Sequence, residues 1–236
     1  MQTLALVREN MPLLLIGLRA TLLLALVTLL VSTIIGIVLG TLATLRPPLV
    51  RILAAFYVEV FRDIPLIVTI FTIFFGAPLL GMPLEPFPAT AIGLSLWGGA
   101  NGAEIVRGGI RSVSKGQREA ATALGLRLWQ TYLLVLWPQA LRAVLPAYTG
   151  LLALIIQSTS LGALVGVTEF LKAGGLIIER STVMLGINPA FGIYSVVLLT
   201  YFAICSILTA LSRRLERRLA VGHDRRAPAM PDASAV

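Results

Sequence analysis

The stretch that decides the fold is QREAATALGLRLWQTYLLVLWPQALRAVLP, which runs from Gln117 to Pro146. Its first part, Gln117 to Leu124, is charged, alanine-rich and compatible with a helix, yet it lies between long apolar stretches. That part is far shorter than the roughly 20 residues that a helix needs to cross a bilayer. Ser114 and Gln117 have the spacing of a capping box, and Gly125 is a residue type that commonly follows a helix C-terminus. The pattern predicts a short polar helix that projects from a membrane protein.

The composition supports a membrane location. Of the 236 residues, 57% are hydrophobic and only 13% are charged, which is more apolar surface than a soluble domain of this size can bury. Continuous apolar runs also exclude a small barrel, whose strands would alternate over about ten residues. We therefore predict an all-α membrane protein with five transmembrane helices. The five apolar stretches are Leu13–Leu45, Ile52–Leu80, Phe87–Ile110, Ala143–Val167 and Ile187–Leu211.

The basic residues predict the orientation of these helices. Segments on one predicted side hold most of the positive charge, which the positive-inside rule assigns to the cytoplasm. The opposite side offers only Arg8, Lys172 and Arg180, with Arg19 at the first boundary. The N-terminus is then outside and the C-terminus inside. The predicted inside residues are Arg46, Arg51, Arg107, Arg111, Lys115, Arg118, Arg127, Arg142, Arg213, Arg214, Arg217, Arg218, Arg225 and Arg226.

This orientation divides the chain into three parts. We expect an external leader at residues 1–12 and a membrane domain at 13–212, with a cytoplasmic loop at about 112–142. The basic tail at 213–236 is predicted to be cytoplasmic and disordered, because it is polar and ends in small residues and prolines. A lipid-binding or RNA-binding tail is the alternative explanation of the net charge of +8. The charge placement favours topology, so no nucleic-acid partner is expected.

The sequence lacks the residues that catalytic sites and metal sites usually need. His223 is the only histidine and Cys205 the only cysteine, so neither a nucleophilic triad nor a zinc site can be assembled. The chain also has no Gly-x-x-x-x-Gly-Lys-Ser/Thr loop that would hold nucleotide phosphates. We predict a non-enzymatic chain without a metal or cofactor of its own.

Four charged residues are predicted to lie at membrane boundaries. Glu59 and Arg62 are three residues apart, and so are Glu104 and Arg107. That spacing places each pair on one helical face, where an ion pair can form. Charges at a membrane edge are costly unless they are paired or solvated. We predict that these residues are structural or gating charges.

Five polar residues are candidates for a transport path. Asn101 lies in the third apolar stretch, where it either bonds to another helix or lines the path. In the fourth stretch, Gln157, Ser158, Thr159 and Ser160 follow one another and should face the bundle interior or water. The three hydroxyls can bond back to their own helix, whereas Gln157 has no such easy partner. Gln157 is therefore the leading candidate for contact with a substrate.

Glycine and proline positions predict how the helices pack. Gly36-x-x-x-Gly40 allows another helix to approach closely, and the glycines between Gly98 and Gly109 permit either close packing or local unwinding. Pro65 is compatible with a kink in the second apolar stretch.

The central stretch resembles the EAA loop of ABC-importer permeases. The resemblance rests on Glu119-Ala120-Ala121, on Gly125, and on Val135-x-Trp137-Pro138, although the consensus has Ile and Leu where Val135 and Trp137 stand. Further motifs are similar to the polar amino-acid subgroup of these permeases, and together they cover nearly the whole chain. They are Glu59-x-Phe61-Arg62-x-x-Pro65, Ala103-Glu104-Ile105-x-Arg107-Gly108-Gly109-Ile110 and Ser158-Thr159-Ser160-Leu161.

The resemblance implies a type I importer permease fold (MetI-like) in a bacterial inner membrane. It implies that Glu119, Ala120, Ala121 and Gly125 form a coupling helix that docks into a cytoplasmic ATPase dimer, where ATP and Mg would bind. A second permease subunit, identical or similar, and an external solute-binding protein would complete the importer. The implied substrates are polar amino acids or related zwitterions. Relatives often carry charges where this chain has Gln157 and Ser158, which weakens any transfer of their substrate contacts.

Two other function classes remain as alternatives. An ion-coupled secondary carrier or channel for small solutes would need ionisable residues in mid-membrane, and the chain offers chiefly Glu104, expected near the inner surface. Five helices also disfavour carriers built from two equal repeats. A membrane-embedded enzyme would need a catalytic pair that the sequence does not supply. Neither alternative explains the glycine-ended polar helix.

Overall fold

The computed structural model describes residues 2–45 and 47–224, with side chains described at 4–45 and 47–214. All regular structure in these residues is helical. The α-helices are α1 (Gln2–Glu9), α2 (Met11–Leu42), α3 (Pro48–Asp63), α4 (Leu66–Gly76), α5 (Pro86–Ser112), α6 (Lys115–Ala123), α7 (Leu128–Gln130), α8 (Trp137–Ser158), α9 (Phe170–Leu185) and α10 (Ala190–Asp224). A π-helical turn at Thr131–Leu136 joins α7 to α8, and 3₁₀ turns at Ala77–Leu80 and Thr159–Val165 extend α4 and α8.

Three helical segments of the described chain are long and apolar enough to cross a membrane, namely Met11–Leu42, Leu128–Val165 and Ala190–Arg214. The bent pair Pro48–Asp63 and Leu66–Leu80 makes a fourth if it counts as one span. The third predicted span became α5, which is 27 residues long but is not in this set. Its glycines and polar residues lower its hydropathy. The predicted count of five spans therefore remains a prediction.

Pro65 breaks the second predicted span more sharply than a kink. Helix α3 ends at Asp63, α4 begins at Leu66, and the two helices are bent by 98°. Proline lacks the amide hydrogen that would continue the helix and disfavours helical geometry in the residue before it. Ile64 is accordingly extended, with φ −74° and ψ 128°.

The tightest helix contact joins α2 to α5 and confirms the prediction from Gly36 and Gly40. A Cβ atom at Gly36 would lie 3.0 Å from the backbone carbon of Gly102. At Gly40 it would lie 2.6 Å from both the Ala103 carbonyl oxygen and the Val106 Cβ. Only glycine lets the two backbones approach this closely.

Helix α5 lies at the centre of the bundle and contacts α2, α3, α4 and α8. Its many small buried residues, among them Gly98, Gly99 and Ala100, explain how four helices fit around it. The local unwinding that these glycines also permit does not occur in this structure, because α5 is continuous from Pro86 to Ser112.

Two terminal segments contain helical structure that the sequence did not predict. The leader at residues 1–12 contains α1, and the Leu6 side chain is only 7% exposed in a cluster with Leu14, Phe170 and Ile177. Helix α9, which the sequence did not predict, supplies three residues of that cluster, namely Phe170, Ala173 and Ile177. At the other end, α10 continues past 212 to Asp224, so part of the predicted tail is helical. The prediction for residues 225–236 lies outside the described residues.

The α2–α5 contact predicts that Gly40→Ala destabilises the protein. The added methyl would overlap backbone that cannot move without separating the helices, and we expect a loss of about 1–3 kcal/mol in the free energy of unfolding. Thermal unfolding of the purified protein in detergent measures it. Gly150→Ala is the matched control, since a Cβ at this position of α8 meets nothing within 4 Å. Equal midpoints for the two variants would contradict the proposed close contact.

Candidate functional site: a projecting helix at one end of the bundle

Helix α6 begins where the sequence predicted, but its start is built differently. Ser114 is the residue before the helix, and its carbonyl accepts from the Gln117 amide at 3.2 Å. The expected capping-box bond from the Ser114 side chain is absent. The Gln117 side chain instead accepts a hydrogen bond from Gln139 Nε2 at 3.3 Å, so it is used to fasten α6 to α8.

The end of α6 agrees with the prediction at Gly125. This glycine has φ +73°, in the left-handed region. Its amide donates to the Thr122 carbonyl and the Leu126 amide donates to the Ala121 carbonyl, both at 3.0 Å. These two bonds form a Schellman motif, which satisfies carbonyls at the end of the helix and turns the chain back.

The two alanines of the motif have different surroundings. The Ala121 side chain is 2% exposed and faces the protein, whereas Glu119 and Ala120 are exposed. Leu124 continues the outer surface and is 81% exposed. Of the two alanines, only Ala120 therefore lies on the outer surface of α6.

Two side chains that sequence reasoning missed fasten α6 to neighbouring helices. Arg118 Nη2 donates to the Ile110 carbonyl near the end of α5 at 3.2 Å. Gln139 Nε2, at the start of α8, donates to Gln117 and also to the Val135 carbonyl at 2.9 Å. These bonds connect α6 directly to the ends of α5 and α8.

A buried cluster lies beneath α6 and connects it to α2. The cluster packs the C-terminal part of α5 against the π-helical turn and the start of α8. Within it, Tyr132 Oη lies 2.9 Å from Thr44 Oγ1 and donates to the Thr44 carbonyl at 3.1 Å, just beyond the end of α2. The cluster consists of Val106, Ile110, Tyr132, Leu136, Ala140 and Val144.

The two predicted ion pairs have different outcomes. Arg107 Nε donates to Glu104 Oε2 at 2.9 Å, and a second bond joins Arg107 Nη2 to Glu104 Oε1, so this pair is confirmed. The Glu59–Arg62 pair is absent from the part of the chain that the structure describes. Both side chains are exposed and line a groove of about 330 Å³ between α3 and α5 that also contains Glu104 and Arg107.

The predicted path residues do not converge on one point. The Asn101 side chain bonds to the Trp97 carbonyl of its own helix at 2.9 Å, not to another helix. Thr159 and Ser160 bond to the carbonyls of Ile156 and Gln157, each at 2.7 Å, as the back-bonding alternative predicted. Ser158 is half-buried at the end of α8.

Gln157 is the predicted path residue that faces an open space. Its exposed side chain approaches Cys205 Sγ at 3.9 Å across the contact between α8 and α10. Together with Ser160 it lines a cavity of about 500 Å³, whose other walls include Tyr194, Tyr201 and Phe202. The lining is neutral and mostly apolar, with aliphatic and aromatic side chains beside a few polar groups. Asn101 does not line it, so the structure brings together only part of the predicted path.

Glu169 is a buried carboxylate that sequence reasoning missed. It is 0% exposed and precedes α9, where its oxygens accept from the Leu171 amide at 2.9 Å and the Lys172 amide at 2.7 Å. Tyr201 of α10 donates to it at 2.8 Å and Thr21 of α2 at 3.4 Å. Four donors satisfy the charge, and the helix N-terminus favours it. An acid directly before an apolar helical segment was the available signal.

Comparison with protein families identifies the family to which this chain belongs. The family described as "Binding-protein-dependent transport system inner membrane component" matches residues 32–221. The chain belongs to this family. As a member of this permease family, it represents the membrane component of such a transport system rather than an ATPase.

Comparison with individual proteins is more specific than the match to the family. The permease is 34% identical over 212 residues to the probable amino-acid ABC transporter permease protein YckA of Bacillus subtilis, covering 90% of this chain and 91% of the relative. It is also 34% identical over 212 residues to the glutamine transport system permease protein GlnP of Escherichia coli K12, covering 89% and 94%. The resemblance to amino-acid ABC-importer permeases drawn from the sequence motifs is thereby confirmed.

Solved structures support the fold. A chain in the crystal structure of an amino acid ABC transporter with histidines matches with a TM-score of 0.81 and 26% identity, covering 91% of this permease and 97% of that chain. A chain of the inward-facing MetNI methionine ABC transporter matches with a TM-score of 0.73 at 24% identity, covering 89% and 97%. The predicted all-α, MetI-like importer permease fold is confirmed at this level.

The geometry at Glu169 predicts that Glu169→Gln destabilises the permease. The new amide group would face donors, leaving one or more buried hydrogen-bonding groups unsatisfied at a cost of about 2–3 kcal/mol. Thermal unfolding in detergent provides the readout. Glu179→Gln on the exposed surface of α9 is the control and should shift stability by less than about 0.5 kcal/mol. Equal stability of both variants would show that the buried network contributes little.

Proposed function

We propose that this permease is the membrane-spanning subunit of an ATP-driven importer that moves polar amino acids or related zwitterions in a bacterial inner membrane. The observation that carries the proposal is helix α6, which presents Glu119, Ala120 and Leu124 outward and is fastened to the bundle by Arg118 and Gln139. An exposed surface on a rigidly attached helix is what a separate ATPase needs to move a membrane domain.

The coupling step follows from these attachments. ATP and Mg would bind to a cytoplasmic ATPase dimer, and closure of that dimer would displace α6. Because α6 is hydrogen-bonded to α5 and α8, both helices would shift with it. The two ATPase states must contact α6 differently, since a partner drives a conformational change only through its differential interaction with the two states.

The proposed substrate class rests on two kinds of support. The relatives' names specify amino acids or glutamine. The cavity beside Gln157 offers amide, hydroxyl and aromatic groups and no charged side chain in its described lining. We propose that Gln157 and Ser160 contact the substrate during passage, with Asn101, Ser158 and Thr159 as further candidate path residues. An external solute-binding protein would deliver the ligand.

The remaining assembly is proposed from the same resemblance. Five spans, with the N-terminus outside and the C-terminus inside, would place α6 in the cytoplasm beside the ATPase. A second permease subunit, either another copy or a similar chain, would complete the translocation path. The ion-coupled carrier gains no support from Glu169, because four structural donors already occupy this carboxylate.

The proposed contact with the ATPase is the exposed surface of α6, formed by Glu119, Ala120 and Leu124. This contact predicts the effect of Glu119→Arg and Leu124→Asp on complex formation. The first change reverses a charge and the second places a charge on an apolar contact, so each should reduce co-purification of the ATPase at least tenfold. Affinity purification in mild detergent from the native host, followed by quantitative mass spectrometry, measures the ratio of ATPase to permease. Glu179→Arg is the matched control, since it lies on the exposed surface of α9.

Two outcomes of this experiment are decisive. Loss of the ATPase in both α6 variants, with normal yield and unfolding temperature, supports the importer. A stable preparation that contains only this chain, in the unmodified protein as well as in the variants, would exclude it. A second permease in the same preparation would identify a heterodimer.

The side-chain hydrogen bonds of Arg118 and Gln139 are the tethers that hold α6 to α5 and α8. They predict a separate defect in the double variant Arg118→Ala and Gln139→Ala. The outer surface of α6 is unchanged, so the ATPase should still bind. Loss of both side-chain bonds should loosen the link to α5 and α8 and reduce transport about tenfold while basal ATP hydrolysis persists. Transport and hydrolysis by the same proteoliposomes provide the two rates. A proportional fall of both rates would argue against a role in coupling.

A further inference from the structure

The groove between α3 and α5 is a strongly charged site that the proposed transport cycle does not use. It has a volume of about 330 Å³ and lies at the end of the bundle that carries α6. Helix α3 contributes Arg51, Glu59 and Arg62, and α5 contributes Glu104, Arg107 and Arg111. Four positive charges therefore face two negative ones.

The excess charge is concentrated on three arginines. Glu104 is occupied by its two-pronged bond to Arg107. Within residues 4–45 and 47–214, no ion pair engages Arg51, Arg62 or Arg111. All three are exposed to the groove. Even if Glu59 offsets one of them, two guanidinium groups remain for an anionic ligand.

The outer surface of α3 indicates where such a ligand could come from. Leu49, Ile52, Leu53 and Phe56 are between 60% and 67% exposed and form an apolar face. Arg51, Glu59 and Arg62 lie on the groove side of the same helix. An apolar face beside a cluster of basic residues is the arrangement of an interfacial helix, with acyl chains on one side and headgroups on the other.

We propose that this groove binds a phosphate group, supplied by the headgroup of an anionic phospholipid. Arginine matches this ligand because its planar guanidinium can make two parallel hydrogen bonds to phosphate oxygens. Basic pockets between membrane helices are suited to anionic headgroups for the same reason. The acyl chains would lie along Leu49, Ile52 and Phe56.

A bound headgroup would have a mechanical consequence. The groove is lined by α3 and by the C-terminal part of α5 from Ala103 to Arg111, and the Ile110 carbonyl that holds Arg118 lies in the same part of α5. A phosphate that bridges Arg51 and Arg111 would therefore tie α3 to the helix that anchors α6. The lipid would stabilise one relative position of these helices.

Lipid titration of the assembled transporter tests the proposal. The complex is purified in detergent and titrated with phosphatidylglycerol or phosphatidylcholine, and bound lipid is counted by native mass spectrometry. Arg51→Gln and Arg111→Gln should each weaken phosphatidylglycerol binding about fivefold, and the double variant by more than tenfold. Arg111→Lys should lie between, since it keeps the charge but loses the two-pronged bond.

Two controls separate this site from general attraction between charges. Arg142→Gln removes an exposed arginine of α8 that does not line the groove, and it should leave phosphatidylglycerol binding unchanged. Phosphatidylcholine binding should not respond to any of the variants. Identical unfolding temperatures for all variants exclude a folding defect as the cause.

A parallel titration with inorganic phosphate distinguishes a lipid headgroup from a soluble phosphate compound as the source of the bound phosphate group. Competition by inorganic phosphate together with groove-dependent lipid binding supports the headgroup. Groove-dependent binding of inorganic phosphate without any lipid preference would overturn the lipid source and identify a soluble phosphate compound. If neither ligand responds to the groove arginines more than to Arg142→Gln, the proposal fails entirely.

Discussion

The backbone contact between α2 and α5 is the constraint on which the rest of the structure depends. Gly36 and Gly40 place no side chain of α2 in the contact, so α2 packs directly on backbone atoms of Gly102 and Ala103 and on the Val106 side chain. In a bilayer the hydrophobic effect does not drive helices together, and close van der Waals packing must do so. Since α5 also contacts α3, α4 and α8, this contact helps to position the charged groove and the base of α6.

Hydrogen bonds between distant segments complete the attachment at both ends of α2. Near its start, Thr21 donates to the Glu169 carboxylate, which also holds α9 and Tyr201 of α10. Just beyond its end, Thr44 bonds to Tyr132 in the turn that leads into α8. These contacts are specific because an unsatisfied polar group in an apolar surrounding is costly. Helix α2 thus links the region around α9 to the region around α6.

Local rules predicted the features that depend on neighbouring residues. The bounds of α6, the turn at Gly125, a bend at Pro65 (though not its sharpness) and the Glu104–Arg107 pair all follow from residues within a few positions. Features that need residues far apart in the chain were missed. Thr21 and Glu169 are separated by 148 positions, and no local pattern links them. The prediction of a Glu59–Arg62 ion pair was wrong for a related reason. A spacing of three residues permits an ion pair within α3, but α5 on the other side of the groove supplies competing charges.

The placement of α6 explains how its exposed surface could influence both the groove between α3 and α5 and the cavity beside Gln157. Its tethers attach to α5 at Ile110 and to α8 at Gln139. Helix α5 carries the groove arginines, and α8 carries Gln157 beside the cavity. A displacement shared by these two helices would therefore reach the groove and the cavity together. The π-helical turn at Thr131–Leu136 lies between α6 and α8, and such turns are often found at functional sites. Stiffness at the tethers, rather than any residue in the cavity, would then determine how much of the ATPase movement reaches the substrate.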